Sequence, residues 1–170
     1  MPTTYTLINS NVLTSSAATV TFSSIPATYT DLVVRISARQ NAANTQDTLL
    51  ITTINGATGF SNTWLRGSGS SVISLRNLVG TASYVGQIPG AGGTSNTFDN
   101  TEIYIPSYTV SQNKPFSTFS VQENNQTEAY MGTTAGLWSN TAAITSITFS
   151  ANGQSFVSGS SFYLYGISNA

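Results

Sequence analysis

The 170-residue sequence contains no cysteine and no histidine. Without cysteine there can be no disulfide, no thiolate nucleophile and no sulfur-ligated metal site. The absence of histidine removes the commonest general base, the commonest zinc ligand and every Ser-His or Cys-His catalytic pair. We therefore expect a protein that is not an enzyme and that uses no cofactor.

Charged residues are also scarce, at 6% of the sequence against about 25% in a typical soluble domain. Lys114 is the single lysine, four arginines are scattered along the chain, and the formal net charge is -1. A nucleic-acid partner requires clustered basic residues, so none is expected. Because few groups titrate near neutrality, the sequence also predicts a stability that changes little between about pH 5 and 9.

No apolar run in the sequence is long. Residues 32–34 and 49–51 form the longest ones, whereas a membrane-spanning helix needs about 20 apolar residues. The N-terminal Met-Pro-Thr-Thr-Tyr has neither the charged nor the apolar region of a secretory signal peptide. We therefore expect no membrane partner.

What the sequence does contain is typical of β-structure. Alternating and β-branched segments recur at short spacing between turns rich in Gly, Asn and Ser, and no segment has the helical period. The predicted strands cover residues 3–9, 18–24, 31–39, 47–54, 59–66, 71–79, 101–106, 115–123, 127–133, 143–151 and 154–167. This pattern predicts an all-β fold, a single-domain antiparallel β-sandwich spanning residues 1–170, and the number of strands favours the jelly-roll type.

Two local signals bear on the strand connections. Asn152-Gly153 lies between alternating segments and predicts a two-residue type I′ hairpin turn. In that register Phe149 would face Phe156 across the hairpin. By contrast, the glycines and proline of residues 86–100 predict a long loop rather than a strand.

The final strand of the chain carries apolar residues on both faces. Phe162 and Leu164 point to one side, and Tyr163, Tyr165 and Ile167 point to the other. A strand of this kind needs cover on its second face from another sheet or from a neighbouring molecule. We therefore predict that Tyr163, Tyr165 and Ile167 lie at a subunit interface, unless a second sheet covers them.

The acidic residues offer two weak candidate sites. Asp99 with Glu102, or Glu123 with Glu128, could supply the two carboxylates of a glycosidase. Asp99 and Glu102 could also bind calcium together with Asn100, although the spacing matches no known calcium loop. All of these acids lie beside turn residues, where solvated carboxylates are ordinary. The sequence therefore predicts no catalytic residue and no metal site.

Two further patterns could suggest ligand binding. The glycine-rich residues 90–94 look like a phosphate-binding loop, but no lysine follows and no strand-to-helix context surrounds them. Aromatic side chains could stack on a sugar, although on strands they more often form core or subunit contacts. The residues concerned are Trp64, Trp138, Tyr104, Tyr108 and Tyr130.

Three segments resemble a recurrent group of virion proteins from tailed bacteriophages, especially phages of cyanobacteria and other aquatic bacteria. They are Tyr-Thr-Leu-Ile at residues 5–8, the stretch from Phe22 to Arg39, and Phe-Tyr-Leu-Tyr-Gly-Ile at residues 162–167. The similarity covers both ends of the chain and is patchy between residues 63 and 140. It implies a jelly-roll structural protein, often trimeric, on the capsid exterior or on the tail.

On this basis we expect a capsid decoration, or cement, protein made in the host cytoplasm. It would form a homotrimer and bind the major capsid protein, and other virion proteins are further candidate partners. One alternative is a tail-fibre or receptor-binding module that recognises host cell-surface polysaccharide. A second alternative is a secreted lectin outside any virus, for which the sequence shows no signal peptide.

Overall fold

A computed structural model describes residues 4–168, which form two antiparallel β-sheets and no helix. This confirms the predicted all-β, single-domain antiparallel β-sandwich. The strands of these residues are β1 (Tyr5–Val12), β2 (Thr19–Phe22), β3 (Asp31–Ser37), β4 (Gln46–Ile54), β5 (Phe60–Gly67), β6 (Val72–Gly80), β7 (Ser83–Pro89), β8 (Asn100–Ile105), β9 (Lys114–Gln122), β10 (Tyr130–Trp138), β11 (Ile147–Ser150) and β12 (Ser161–Ile167).

The two sheets differ in size. The large sheet has eight strands in the order β1-β12-β3-β8-β9-β10-β5-β6, and the small sheet has four in the order β2-β11-β4-β7. Strands β9, β10, β5 and β6, which we call the extension, continue the large sheet beyond β8. Strand β7 packs against β9, β10 and β5, and β6 ends the large sheet as an edge strand.

The apolar core lies between the small sheet and the first half of the large sheet. Phe149 of β11 contacts Phe22 and Phe162, with ring centroids 6.3 and 6.1 Å apart, and Phe156 contacts Phe162 at 5.0 Å. Burying each large apolar side chain stabilises the fold by about 1.5–3 kcal/mol. The alternation of β12 therefore directs Phe162 and Leu164 into the core, as its sequence predicts.

The interior beneath the extension is much more polar. Asn62, Thr118, Ser120, Gln122 and Thr134 are all buried there. Asn62 donates to Ser83 of β7 at 3.1 Å, and Ser120 accepts from the backbone N–H of Gln87 at 3.3 Å. Side-chain hydrogen bonds thus hold Asn62 and Ser120, whereas the polar side-chain atoms of Thr118, Gln122 and Thr134 have no partner within residues 4–168.

The single lysine is fully buried at the start of β9. The Nζ of Lys114 donates to the backbone carbonyls of Val110 at 2.6 Å, Gln112 at 2.5 Å and Thr141 at 3.2 Å. Three acceptors satisfy the three donors of an ammonium group. Lys114 therefore ties the turn before β9 to the connection after β10.

The predicted turn at Asn152-Gly153 is present. Both residues have positive φ, 48° and 83°, as a type I′ turn requires. The predicted facing of Phe149 and Phe156 is wrong, because Phe149 pairs within the small sheet and Phe156 bridges to Ala17. The chain crosses after the turn to the large sheet, where β12 pairs with β1 and β3.

The prediction of a loop over residues 86–100 is wrong for its first part, because Gly86 to Pro89 belong to β7. Strand β7 is an edge of the small sheet, a position that tolerates the missing N–H of Pro89. A Cβ on Gly86 would lie 2.4 Å from the Oγ of Ser120. Glycine is therefore required here by the close approach of β7 to β9.

Candidate assembly surface

The large sheet has an outer face, which is the side turned away from the small sheet. Tyr163, Tyr165 and Ile167 lie on this face, because Phe162 and Leu164 occupy the inner one. No second sheet among residues 4–168 covers the outer face. Tyr163 and Tyr165 are half-buried, whereas Ile167 is only 8% exposed. Their role in a subunit interface stays a prediction.

A cluster of tyrosines occupies one end of the outer face. Tyr5 contacts Tyr165 edge to face, with ring centroids 6.4 Å apart. Val33 pairs with both Tyr165 and Tyr104 and is only 1% exposed despite facing outwards. The hydroxyl of Tyr104 donates to Asp31 at 2.9 Å, which raises the pKa of Tyr104. We call Tyr5, Tyr104, Tyr163 and Tyr165 the tyrosine cluster.

An ion pair lies at the centre of the outer face. The Nε of Arg35 lies 3.1 Å from Glu102, and both side chains are about half exposed. An exposed pair of this kind contributes less than about 1 kcal/mol. Glu102 pairs in register with Phe119 of β9, so the ion pair connects the tyrosine cluster to the extension.

The extension carries an exposed apolar patch on the outer face. Its members, which we call the outer patch, are Leu65 (47% exposed), Val72 (74%), Phe119 (54%) and Met131 (57%). Phe119 and Leu65 flank Thr133, while Met131 and Val72 flank Gly67, which has no side chain. Together they line an open cavity of about 320 Å³. Contiguous exposed apolar surface of this kind marks interaction sites.

Strand β6 adds a second exposed apolar feature. Its side chains Ile73, Leu75 and Leu78 are exposed as well as Val72, so both faces of the strand are open. As the last strand of the sheet, β6 also has one unpaired backbone edge. Long apolar edge strands are prone to pair with other chains unless something covers them. The outer patch and β6 together form the candidate assembly surface.

The two predicted carboxylate pairs are not brought together as catalytic pairs. Asp99 is buried between the sheets, whereas Glu102 points to the outer face. Glu128 accepts a hydrogen bond from Thr45 at 3.0 Å, and Glu123 accepts one from the backbone of Asn125 at 2.9 Å. Within residues 4–168, no group of three or more acidic side chains is arranged to hold a metal ion.

Asp99 instead connects strands. Its two oxygens accept from the backbone N–H of Ala38 at 2.5 Å and from the hydroxyl of Thr101 at 2.6 Å. Burial raises the pKa of Asp99 to about 7, although both hydrogen bonds oppose the shift. The side chain therefore fixes the entry to β8 against the end of β3.

The glycine-rich residues 90–94 do not form a phosphate cradle. The guanidinium of Arg39 donates to the carbonyls of Gly93 at 3.1 Å, Thr94 at 2.7 Å and Thr97 at 3.1 Å. The loop thus turns carbonyl oxygens towards a buried cation, whereas a phosphate site presents N–H groups. Through these hydrogen bonds, the Arg39 side chain holds the loop in its observed conformation.

The five aromatic residues considered for sugar stacking do not form one platform. Trp138 and Tyr108 are fully buried in the core, and Tyr104 belongs to the tyrosine cluster. Trp64 and Tyr130 come together around a single guanidinium beneath the extension. The predicted core role is confirmed for Trp138 and Tyr108. A contact role for Tyr104 stays a prediction, and nothing in the sequence indicated the arrangement of Trp64 and Tyr130 around one guanidinium.

The outer patch was not predicted from the sequence, although two strands carry a signal for it. Strand β9 carries Phe116 on its inner face and Phe119 on its outer face. Strand β6 has apolar residues at both odd and even positions, and therefore on both of its faces. Like the strand that carries Tyr163 and Tyr165, both strands have apolar side chains on two faces and so need cover on the second face. What the sequence does not show is that β6 lies at the edge.

No known protein family matches this chain, and no curated protein is significantly similar to it. Residues 4–168 contain no helix that is long and apolar enough to cross a membrane.

Proposed function

We propose that this chain is a non-enzymatic structural protein of a tailed-bacteriophage virion, which decorates the capsid exterior and stabilises the head by binding the lattice of the major capsid protein. The observation that carries the proposal is the candidate assembly surface, formed by the outer patch and β6. Exposed apolar surface and a free strand edge suit lasting contact with another protein. The phage-like segments at residues 5–8 and 162–167 support it, since they lie on the paired strands β1 and β12.

The strand order supports the jelly-roll type for this sandwich. Without the hairpins β5–β6 and β9–β10, eight strands remain, in the orders β1-β12-β3-β8 and β2-β11-β4-β7. Numbered one to eight, these are 1-8-3-6 and 2-7-4-5, two four-stranded sheets between which the chain crosses at every connection except that from the fourth strand to the fifth. An eight-stranded, two-sheet arrangement of this kind is the jelly-roll architecture used by capsid proteins.

Self-association is the second part of the proposal. We assign the tyrosine cluster to contacts within a homotrimer, because tyrosine is enriched in interfaces and its ring covers apolar surface without much loss of side-chain entropy. The outer patch and β6 are then left to contact the capsid. A symmetric trimer makes several modest contacts at once, which raises its avidity for a repeating lattice.

The test removes the protein from the particle. Phage lacking the gene should still adsorb to cells, but should release DNA at a lower temperature. Purified wild-type protein added back should restore heat resistance, and Phe119→Ser with Met131→Ser should not. The matched control is Val110→Ser, which changes an exposed apolar residue outside the strands and should restore resistance. Lost adsorption with unchanged DNA release would contradict the proposal.

The second candidate is a tail-fibre or receptor-binding module. The observation that favours it is a polar pocket at the end of the extension, lined by Gln122 and Tyr130. In that case phage lacking the gene should fail to adsorb, while the head should remain as heat-resistant as before. The same two measurements therefore separate the two functions.

A further inference from the structure

A pocket opens where the extension ends, between the β5–β6 turn and the β9–β10 connection. Its volume of about 460 Å³ lies within the range of roughly 300–1,000 Å³ found for small-molecule sites. The polar side chains that line it are Ser68, Gln122, Glu123, Gln126, Thr127 and Tyr130. No lysine or arginine lines this pocket within the described part of the chain.

Gln122 is the unusual member of this lining. It is the last residue of β9 and is only 1% exposed. Within residues 4–168, neither its amide nitrogen nor its amide oxygen has a hydrogen-bond partner. A buried polar group without a partner costs about 1–3 kcal/mol. The floor of the pocket therefore contains a donor and an acceptor side by side, both buried and both without a partner within residues 4–168.

Tyr130 forms a rigid wall beside Gln122, with which it pairs in register. The guanidinium of Arg66 lies 4.7 Å from the Tyr130 ring centroid and 5.0 Å from that of Trp64. Cation–π contact therefore holds the aromatic wall in place before any ligand arrives.

The chemistry of the lining limits the ligand class. An anion would meet the carboxylate of Glu123 and no basic side chain, and an apolar ligand would leave the Gln122 amide unpaired. A hydroxyl both donates and accepts, so neighbouring hydroxyls can pair with both amide atoms while the carboxylate accepts from a third. An aromatic ring beside such groups offers an apolar contact to the carbon skeleton of the same ligand.

We propose that this pocket binds one neutral sugar residue, with Gln122 and Glu123 hydrogen-bonded to its hydroxyls and Tyr130 against its ring. The inference does not rest on the virion role, because a decoration protein and a receptor-binding module can each carry such a site. An extended peptide is the competing ligand, since its backbone amides can also pair with the Gln122 amide.

The test uses ¹⁵N-labelled protein and two kinds of probe. The sugar probes are the methyl glycosides of glucose, galactose, mannose and N-acetylglucosamine, and the peptide probe is tri-asparagine. We expect at least one glycoside to bind with millimolar affinity and to shift amide resonances of residues 122–131. If no glycoside binds, or if only the peptide does, the proposal is wrong.

Variants then separate binding from folding. Gln122→Leu removes both unpaired atoms, so it should abolish glycoside binding while the melting temperature stays the same or rises. Gln126→Ala, at the exposed rim, should weaken binding at least several-fold without affecting the fold. The matched control Gln112→Leu changes an exposed glutamine outside the pocket and should bind as wild type does. Undiminished binding by Gln122→Leu and Gln126→Ala would overturn the proposal.

Discussion

Titration of one residue, Asp99, should make the free energy of unfolding depend on pH. Its pKa is about 7 in the folded protein, raised by burial from a usual value of 3.8. Between these values the folded state holds a proton that the unfolded state has released. The free energy of unfolding should therefore fall as the pH rises from about 4 to about 7 and level off above that, by a few kcal/mol in total.

The matched variant for this prediction is Asp99→Asn, which keeps an acceptor for Ala38 and cannot titrate. Urea unfolding of both proteins across this pH range isolates the contribution of Asp99, because all other groups are shared. Parallel profiles would contradict the prediction. The expectation of pH-independent stability between about 5 and 9 took no account of a buried carboxyl group. Asp99 follows a glycine-rich loop, and nothing in the sequence alone indicates its burial.

At the scale of elements, the turn between β11 and the final crossing depends on one backbone conformation. Gly153 has a φ of +83°, and a Cβ there would meet no atom within 4 Å. Gly153→Val should therefore lower the free energy of unfolding by about 1–3 kcal/mol through backbone strain alone. Gly67→Val is the control, because Gly67 is equally open and lies in a strand without positive φ. Equal stability of the two variants in urea unfolding would mean that the turn contributes no strain.

Strand β6 is the element most exposed to unwanted pairing. Changing Leu75 and Leu78 together to Lys should reduce aggregation of the concentrated protein, because lysine at an edge opposes strand addition. The free energy of unfolding should change by less than about 1 kcal/mol, since both side chains are already exposed. Light scattering measures the first effect. Val12→Lys, on the opposite edge strand β1, is the control, and an equal reduction by that variant would contradict a specific role for β6.

Strands whose apolar residues alternate on one face were predictable from the sequence. Strands whose residues are explained by contacts with neighbouring strands were not. Leu32, Val34 and Ile36 alternate in β3 and all point into the core, as their spacing predicts. Strand β7 has no such pattern. Glycine is required at position 86 by the contact with β9, and proline is tolerated at position 89 because β7 is an edge strand. The outer patch likewise depends on strand order. Sequence periodicity shows which side a residue faces, but not what lies on that side.

At the scale of the whole molecule, the tyrosine cluster should control the oligomeric state. Tyr163→Ser with Tyr165→Ser removes two half-buried rings from the outer face, so a homotrimer built on that face should dissociate to monomers. Sedimentation velocity at micromolar concentration measures this. The control is Val110→Ser, outside the sheets, which should leave the trimer intact. A wild-type protein that sediments as a monomer would contradict this contact.

The strand order also makes one hairpin dependent on the other. Strands β5 and β6 join the large sheet only through β10, whereas β9 and β10 join it through β8. A chain shortened by β5 and β6 keeps a continuous sheet that ends at β10. A chain shortened by β9 and β10 would leave β5 and β6 with no strand to join. The hairpins therefore form a nested series, in which β5–β6 depends on β9–β10 for its attachment to the sheet, whereas β9–β10 does not depend on β5–β6.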